Sequence, residues 1–321
     1  MNIPVFDLHC DTVTELLGRD LSGTTSLASN KLHIDLERAG TLAGYAQCFA
    51  FWSTTGLPLP KGIKTEDVFW REVSVLQDAI DKNSHLIRQA RTMEDVRQNL
   101  SEGKMSAIFT LEGPAGIGFD PAKLEKLWNL GFRASTLGWN ENNSLTGSHV
   151  TGGGLTKRGR EYVKECQRLG ILVDVSHISD EGFYDIMDIT QAPVIATHSN
   201  SRAVHGESRN LTDDMFLAIC RTGGVAGFNL CAEFVGEAPT LDTACDHILH
   251  FLELDPTGKH IALGGDLDGI TNMPQGFTGI QDYPKLAARL HQRGVEEGMI
   301  RDIFWNNAMG VMELAVRNNQ K

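Results

Sequence analysis

The chain has no paired thiols, no long apolar run and little positive charge. Its six cysteines, Cys10, Cys48, Cys166, Cys220, Cys231 and Cys245, are scattered without a C-x-x-C pair. That distribution suits reduced, mostly buried thiols better than a disulfide frame or a thiolate zinc site. No stretch approaches the roughly 20 apolar residues of a membrane span. Nor does the N-terminus show a basic region, an apolar stretch and a small-residue cleavage site in succession. The expectation is a cytoplasmic protein with no membrane partner. Lys and Arg number 29 against 41 Asp and Glu, a formal net charge of −12. Neutralising phosphates needs clustered cations, so no nucleic-acid partner is expected and small solutes are. A G-x-G-x-x-G after the first strand candidate and a Walker sequence are both missing. Gly152-Gly153-Gly154 reads as a flexible turn.

What is present suits a barrel. With 41% hydrophobic and 22% charged residues, the chain can bury a full core. Its 321 residues suit one α/β barrel of about 250 residues with insertions, so a single domain over 1–321 is expected. Eight short β-rich runs recur, at 5–9, 46–52, 107–112, 132–137, 171–175, 194–197, 225–229 and 261–263. Helical patterns lie between them at 66–79, 121–130, 159–169, 180–188, 213–220 and 243–252. Pro121 suits a first helical turn, and Gly131 and Gly170 follow last turns. Two further helices, 283–290 and 296–316, are expected to close an outer ring. Alternating strands and helices imply parallel pairing with right-handed crossovers. The fold class is therefore α/β, a (β/α)8 TIM barrel, with an open doubly wound sheet as the alternative.

His9 and Asp11 end the first run as a His-x-Asp pair. Residues two apart on a strand share a face, so imidazole and carboxylate can grip one cation together. Alternation turns Cys10 away. A second copy, His33-Ile34-Asp35, has no apolar strand leading to it and reads as structural. The first pair gains weight from Glu112, His177, His198 and Asp266, each at the C-terminal end of another run. His177 and His198 are 21 residues apart, one strand–helix–strand step, so both emerge at the same end of adjacent strands. Divalent cations such as zinc take imidazole nitrogen and carboxylate oxygen. His9 and Asp11 can hold one ion and His177 and His198 a second, with Glu112 bridging. Ions bridged about 3.5 to 4 Å apart can share a hydroxide that is nucleophilic near neutral pH. Asp266 can take the proton from the bridging water and pass it to a leaving amine. Asp268, before Gly269, reads as turn chemistry. His247 and His250 read as a solvated helix face, and His149 and His205 as loop residues near the mouth.

Six segments together resemble the membrane (renal) dipeptidase family of zinc metallopeptidases, within the amidohydrolase-type barrels. They are Asp7-Leu8-His9-Cys10-Asp11, Leu111-Glu112-Gly113, Asp174-Val175-Ser176-His177, Ala196-Thr197-His198-Ser199-Asn200, Ser208-Arg209-Asn210-Leu211-Thr212-Asp213 and Gly264-Gly265-Asp266-Leu267-Asp268-Gly269. The resemblance implies two zinc ions, with other divalent metals as alternatives, bound by His9, Asp11, Glu112, His177 and His198. It implies a dipeptide substrate, often with a D-residue at the C-terminal position, Asp266 handling the proton, and Arg209 holding a substrate oxygen. Barrels of this kind are often homodimers, and the sequence leaves the subunit count open. In Thr136-Leu137-Gly138-Trp139-Asn140, Trp139 stands where mammalian-type members carry a substrate-binding His. Indole offers only an N–H donor and a flat apolar surface, so Trp139 and Asn140 are expected to shape substrate range. The polar residues 317–321 offer no lipid-anchor signal, which suits the soluble bacterial branch. The alternatives are another amidohydrolase-type hydrolase, a lactonase or deaminase, or a non-catalytic metal-binding barrel.

Overall fold

The computed structural model describes residues 1–55 and 59–318, with side chains described to residue 315. Among the described residues nine strands form: β1 (Val5–Cys10), β2 (Tyr45–Trp52), β3 (Ile87–Gln89), β4 (Met105–Glu112), β5 (Phe132–Thr136), β6 (Leu172–Asp174), β7 (Val194–Ile195), β8 (Ala226–Phe228) and β9 (Ile261–Leu263). Eight of them run in the order β7-β6-β5-β4-β2-β1-β9-β8, all parallel. A parallel bridge between Ala196 and Ala226 joins the two ends. The result is a nearly closed (β/α)8 barrel. Its longest strands, Tyr-Ala-Gln-Cys-Phe-Ala-Phe-Trp and Met-Ser-Ala-Ile-Phe-Thr-Leu-Glu, are buried almost throughout. Strands covered on both faces read this way, as near-continuous apolar runs.

β3 falls outside the sequence expectation. It pairs Ile87–Gln89 with Met105–Ala107, along the first half of the β4 edge whose second half holds β5. Helix boundaries follow capping chemistry. Thr156, Ser179 and Thr212 each accept a hydrogen bond from the backbone N–H three residues on. Gly131 and Gly170 end their helices in the left-handed conformation, φ 102° and 75°.

Two apolar layers divide the strand residues. Phe6, Leu8, Ala46, Cys48, Ile108, Ala134, Leu172, Ile195 and Ala262 point inward as one cluster. Val5, Phe49, Phe109, Phe132, Val173, Val194, Phe228 and Leu263 pack outward against the helices. The inner cluster continues into Met93 and Val96 of helix Met93–Ser101 and into Trp305, Ala308, Met309 and Met312, which cover the N-terminal end of the barrel. The segment expected to complete the outer ring at 296–316 is thereby corrected. Ile300, Ile303 and Phe304 join the outer layer, and the chain then passes beneath the barrel through a π-turn, Asp302–Asn306, into helix Asn307–Asn318. Among the described residues, no helix is long and apolar enough to cross a membrane.

Candidate metal centre

The strand ends bring the predicted groups together. His9 Nε2 lies 3.3 Å from Glu112 Oε2, 3.7 Å from Asp11 Oδ2 and 3.9 Å from Asp266 Oδ1. The other Glu112 oxygen, Oε1, lies 2.9 Å from His177 Nε2 and 3.8 Å from His198 Nε2. Glu112 thus turns one oxygen to each histidine group. A register irregularity in β1 between Asp7 and Cys10 makes room for this. Leu8 stays in the inner layer and Cys10 in the outer, which frees His9 to face the mouth. A Cβ at Gly269 would meet Asp11 Oδ2 and force that carboxylate to shift.

The imidazoles are oriented from behind. His177 Nδ1 meets Asn140 Oδ1 at 2.8 Å, so that nitrogen carries the proton. Thr197 donates its hydroxyl to Asp174 and therefore accepts from His198 Nδ1 at 2.7 Å. Both Nε2 atoms are left as lone pairs, yet they face each other at 3.0 Å. His9 Nε2 is buried with no hydrogen-bond partner. Opposed lone pairs beside a carboxylate, in a buried site, repel unless a cation sits among them. Imidazole and carboxylate donors of this kind suit a borderline divalent ion such as zinc.

Electrostatics point the same way. Burial, with Arg209 next for His177 and His9 next for His198, pushes both imidazoles well below 6.5 and keeps them neutral. Burial also acts to lower His9, but the Glu112 and Asp11 carboxylates outweigh it and push that imidazole well up. Asp266 is pushed up to about 8 by burial first, with Asp11 and Glu112 adding to it. Asp11 rises to about 6 for similar reasons. Against the push of burial, His9 holds Glu112 below its usual value. Backbone strain gathers here too. Of the five described non-glycine residues with positive φ, His177 (69°), Asp266 (58°) and Asp268 (69°) lie at the strand ends of the mouth. Such conformations cost about 1–3 kcal/mol each and persist where surrounding structure enforces them.

Around the cluster, Arg209 is buried and donates from Nη1 to Ser199 Oγ at 2.7 Å, while Nε and Nη2 have no partner. Asp266 Oδ2 accepts from Asn229 Nδ2 at 3.0 Å. Trp139 packs edge-on against Trp52, with ring centroids 5.1 Å apart, and lies 6.2 Å from the His177 ring. Asn140, expected at the substrate, is already engaged through Oδ1 by His177 and, at 2.9 Å, by His149 Nε2. Asp268 ties loops together, accepting from Thr12 Oγ1 at 2.6 Å and from the His33 backbone at 2.5 Å. His33 is accordingly structural. His247 corrects the expectation of a solvated face: it is fully buried, bonded to Ser201 N and Val235 O. Half-buried His250 pairs with Asp213. Thr197 and Asp174, which belong to the segments that carry the resemblance, and Asn229, which belongs to none of them, hold the site without having been given a role in the sequence. Thr197 and Asn229, each the last residue of its run, carried a positional hint.

Comparison with known proteins identifies the family. All residues, 1–321, match the family described as membrane dipeptidase, peptidase family M19. An uncharacterized dipeptidase of Schizosaccharomyces pombe is 33% identical over 67% of this chain, which spans about half of that relative (54%). A dipeptidase of Clonostachys rogersoniana is 29% identical over 97% of this chain and 84% of its own length. A metallopeptidase of Rhodobacter sphaeroides, crystallised with a phosphinate mimic of the dipeptide L-Ala-D-Ala, superposes with a TM-score of 0.89 at 29% identity, covering 98% of this chain and 100% of that one. With the strand-end histidines and carboxylates arranged on a parallel barrel, and a match that runs from end to end, the chain belongs to the membrane dipeptidase family.

Proposed function

We propose that the whole chain acts as one metal-dependent hydrolase domain that cleaves the peptide bond of dipeptides, including those with a D-residue at the C-terminal position, on a binuclear zinc centre. The observation that carries this reading is the division of the Glu112 oxygens, one toward His9 and the other toward His177 and His198. His9 and Asp11 would hold one ion, His177 and His198 the other, and Glu112 both. When bound, the cations supply Lewis acidity and a water that ionises near neutral pH. Arg209, with Nε and Nη2 unpartnered, is placed to clamp the C-terminal carboxylate or a developing oxyanion. Asp266, held by Asn229, would take the proton from the attacking water and deliver it to the departing nitrogen. Asn140 fixes the His177 ring, and Trp139 lends the mouth a flat apolar wall. A mimic of an L,D-dipeptide in the R. sphaeroides metallopeptidase supports the stereochemical part.

Hydrolysis of a stereochemically complete dipeptide library, read together with metal content, tests the proposal. Chelator-sensitive cleavage with two metals per chain is expected. Bound metal with cleavage of lactones or nucleosides, and of no dipeptide, would contradict it.

A further inference from the structure

One polar group at the mouth has no part in the chemistry above. Glu141 lies in the loop after β5, and Thr54, in the loop after β2, donates its hydroxyl to Glu141 Oε1. The second oxygen, Oε2, is buried without a hydrogen-bond partner. β4 stands between β2 and β5 in the ring, so this bond spans the end of the strand that finishes in Glu112. A second contact spans the same gap, where the Trp52 and Trp139 rings meet at 76°. Trp52 is in register with Glu112 itself, and its Nε1–H is likewise buried and unpartnered.

A carboxylate oxygen shut away from water with no donor is costly, on the order of 1–3 kcal/mol or more, and the cost disappears when a donor arrives. Indole faces attract cations, and a carboxylate accepts from them, so two indoles and a carboxylate suit an ammonium group. Across the mouth, the loop after β7 carries Arg209 with open guanidinium donors. A free dipeptide has an ammonium at one end and a carboxylate at the other.

We propose that Glu141, two residues beyond Trp139 and tied to Thr54, two residues beyond Trp52, receives the free α-ammonium of the dipeptide, and that together with Arg209 it limits the enzyme to unblocked dipeptides. This inference rests on the dipeptidase reading. Because Arg209 and Glu141 each read a chain terminus, a tripeptide or an N-acylated dipeptide misplaces its scissile bond or loses the ion pair.

Steady-state kinetics of the metal-loaded enzyme on L-Ala-D-Ala and on its N-acetyl derivative test it, with Glu141→Gln and Thr54→Val as variants. Gln keeps the shape and still accepts from Thr54, so only the charge is lost. The wild type should prefer the free dipeptide by about a hundredfold. In E141Q, KM for the free dipeptide should rise roughly tenfold to a hundredfold, the worth of a charge-assisted hydrogen bond. Its kcat, its metal content and its rate on the acetylated compound should stay near wild type, so the preference collapses. T54V, which frees the carboxylate from its tether, should raise KM by a smaller factor. Equal use of both compounds by the wild type, or an undiminished preference in E141Q, overturns the inference alone. Should E141Q fail to fold, an undiminished preference and unchanged KM in T54V do the same. A wild type that cleaves no dipeptide overturns the dipeptidase reading and this inference with it.

Discussion

At its N-terminal end the barrel is closed by Trp305, Ala308, Met309 and Met312 packed beneath Phe6, with no described non-glycine residue at positive φ. At the opposite end three residues are held at positive φ, and His9, Trp52, Glu141 and Arg209 keep buried polar atoms without partners. Both ends are ends of the same strands. The floor cluster is apolar, whereas His9, Trp52, Glu141 and Arg209 at the mouth hold five of the nine buried side-chain polar atoms left without partners among the described residues. Unsatisfied polar groups are expensive, so their concentration at one end marks the place where stability is exchanged for binding.

Substitutions should separate the two ends. The largest effect is expected for Glu112→Ala, which should empty the metal centre and lower kcat/KM by at least about a thousandfold, the scale of losing metal-assisted chemistry. At the floor, Trp305→Ala should cost about 3–5 kcal/mol by denaturant titration, the usual range for a large buried aromatic, with kcat and metal content unchanged. Asp266→Asn should keep both metals and lose turnover by roughly a hundredfold or more. Full activity in that variant would remove Asp266 from the proton path. A smaller effect is expected for Asn140→Ala, about tenfold to a hundredfold in metal affinity by competition with a chelator, because only the bond orienting His177 is lost.

Metal-free stability should also depend on pH, with a definite sign. Between pH 6.5 and 8, His177 and His198 are neutral when folded and about half protonated at pH 6.5 when unfolded, so each adds only about 0.4 kcal/mol of stability as pH rises. Asp266, raised to about 8, and His9, raised well above 6.5, bind more protons folded than unfolded in this window. Their stabilisation is therefore lost as pH rises through it. Thermal unfolding of chelated protein should show a lower midpoint at pH 8 than at pH 6.5, and added zinc should remove the difference. A midpoint that rises with pH would mean that the mouth is not acid-rich in the sense argued.

The eight ring strands are legible in the sequence because burial on both faces produces apolar runs, and the ligands are legible because they terminate those runs. β3 is not, since Ile-Arg-Gln has no apolar pattern and pairs only because β4 begins before β5 reaches it. The turn beneath the barrel is hidden as well, because 296–316 has one helical period while its apolar residues serve two different layers. His247 looks solvated beside Asp246 and His250, and is buried because the backbone at Ser201 and Val235 closes over it. Asn140, Thr197, Asp174 and Asn229 support the site through contacts between residues distant in the chain, and no local pattern reports which partner each one holds.

Anomalous diffraction from zinc-loaded crystals tests the central claim most directly. Two peaks about 3.5 to 4 Å apart, one against His9 and Asp11, the other against His177 and His198, and Glu112 touching both, are the predicted result. A single peak, or peaks that Glu112 does not join, would contradict it.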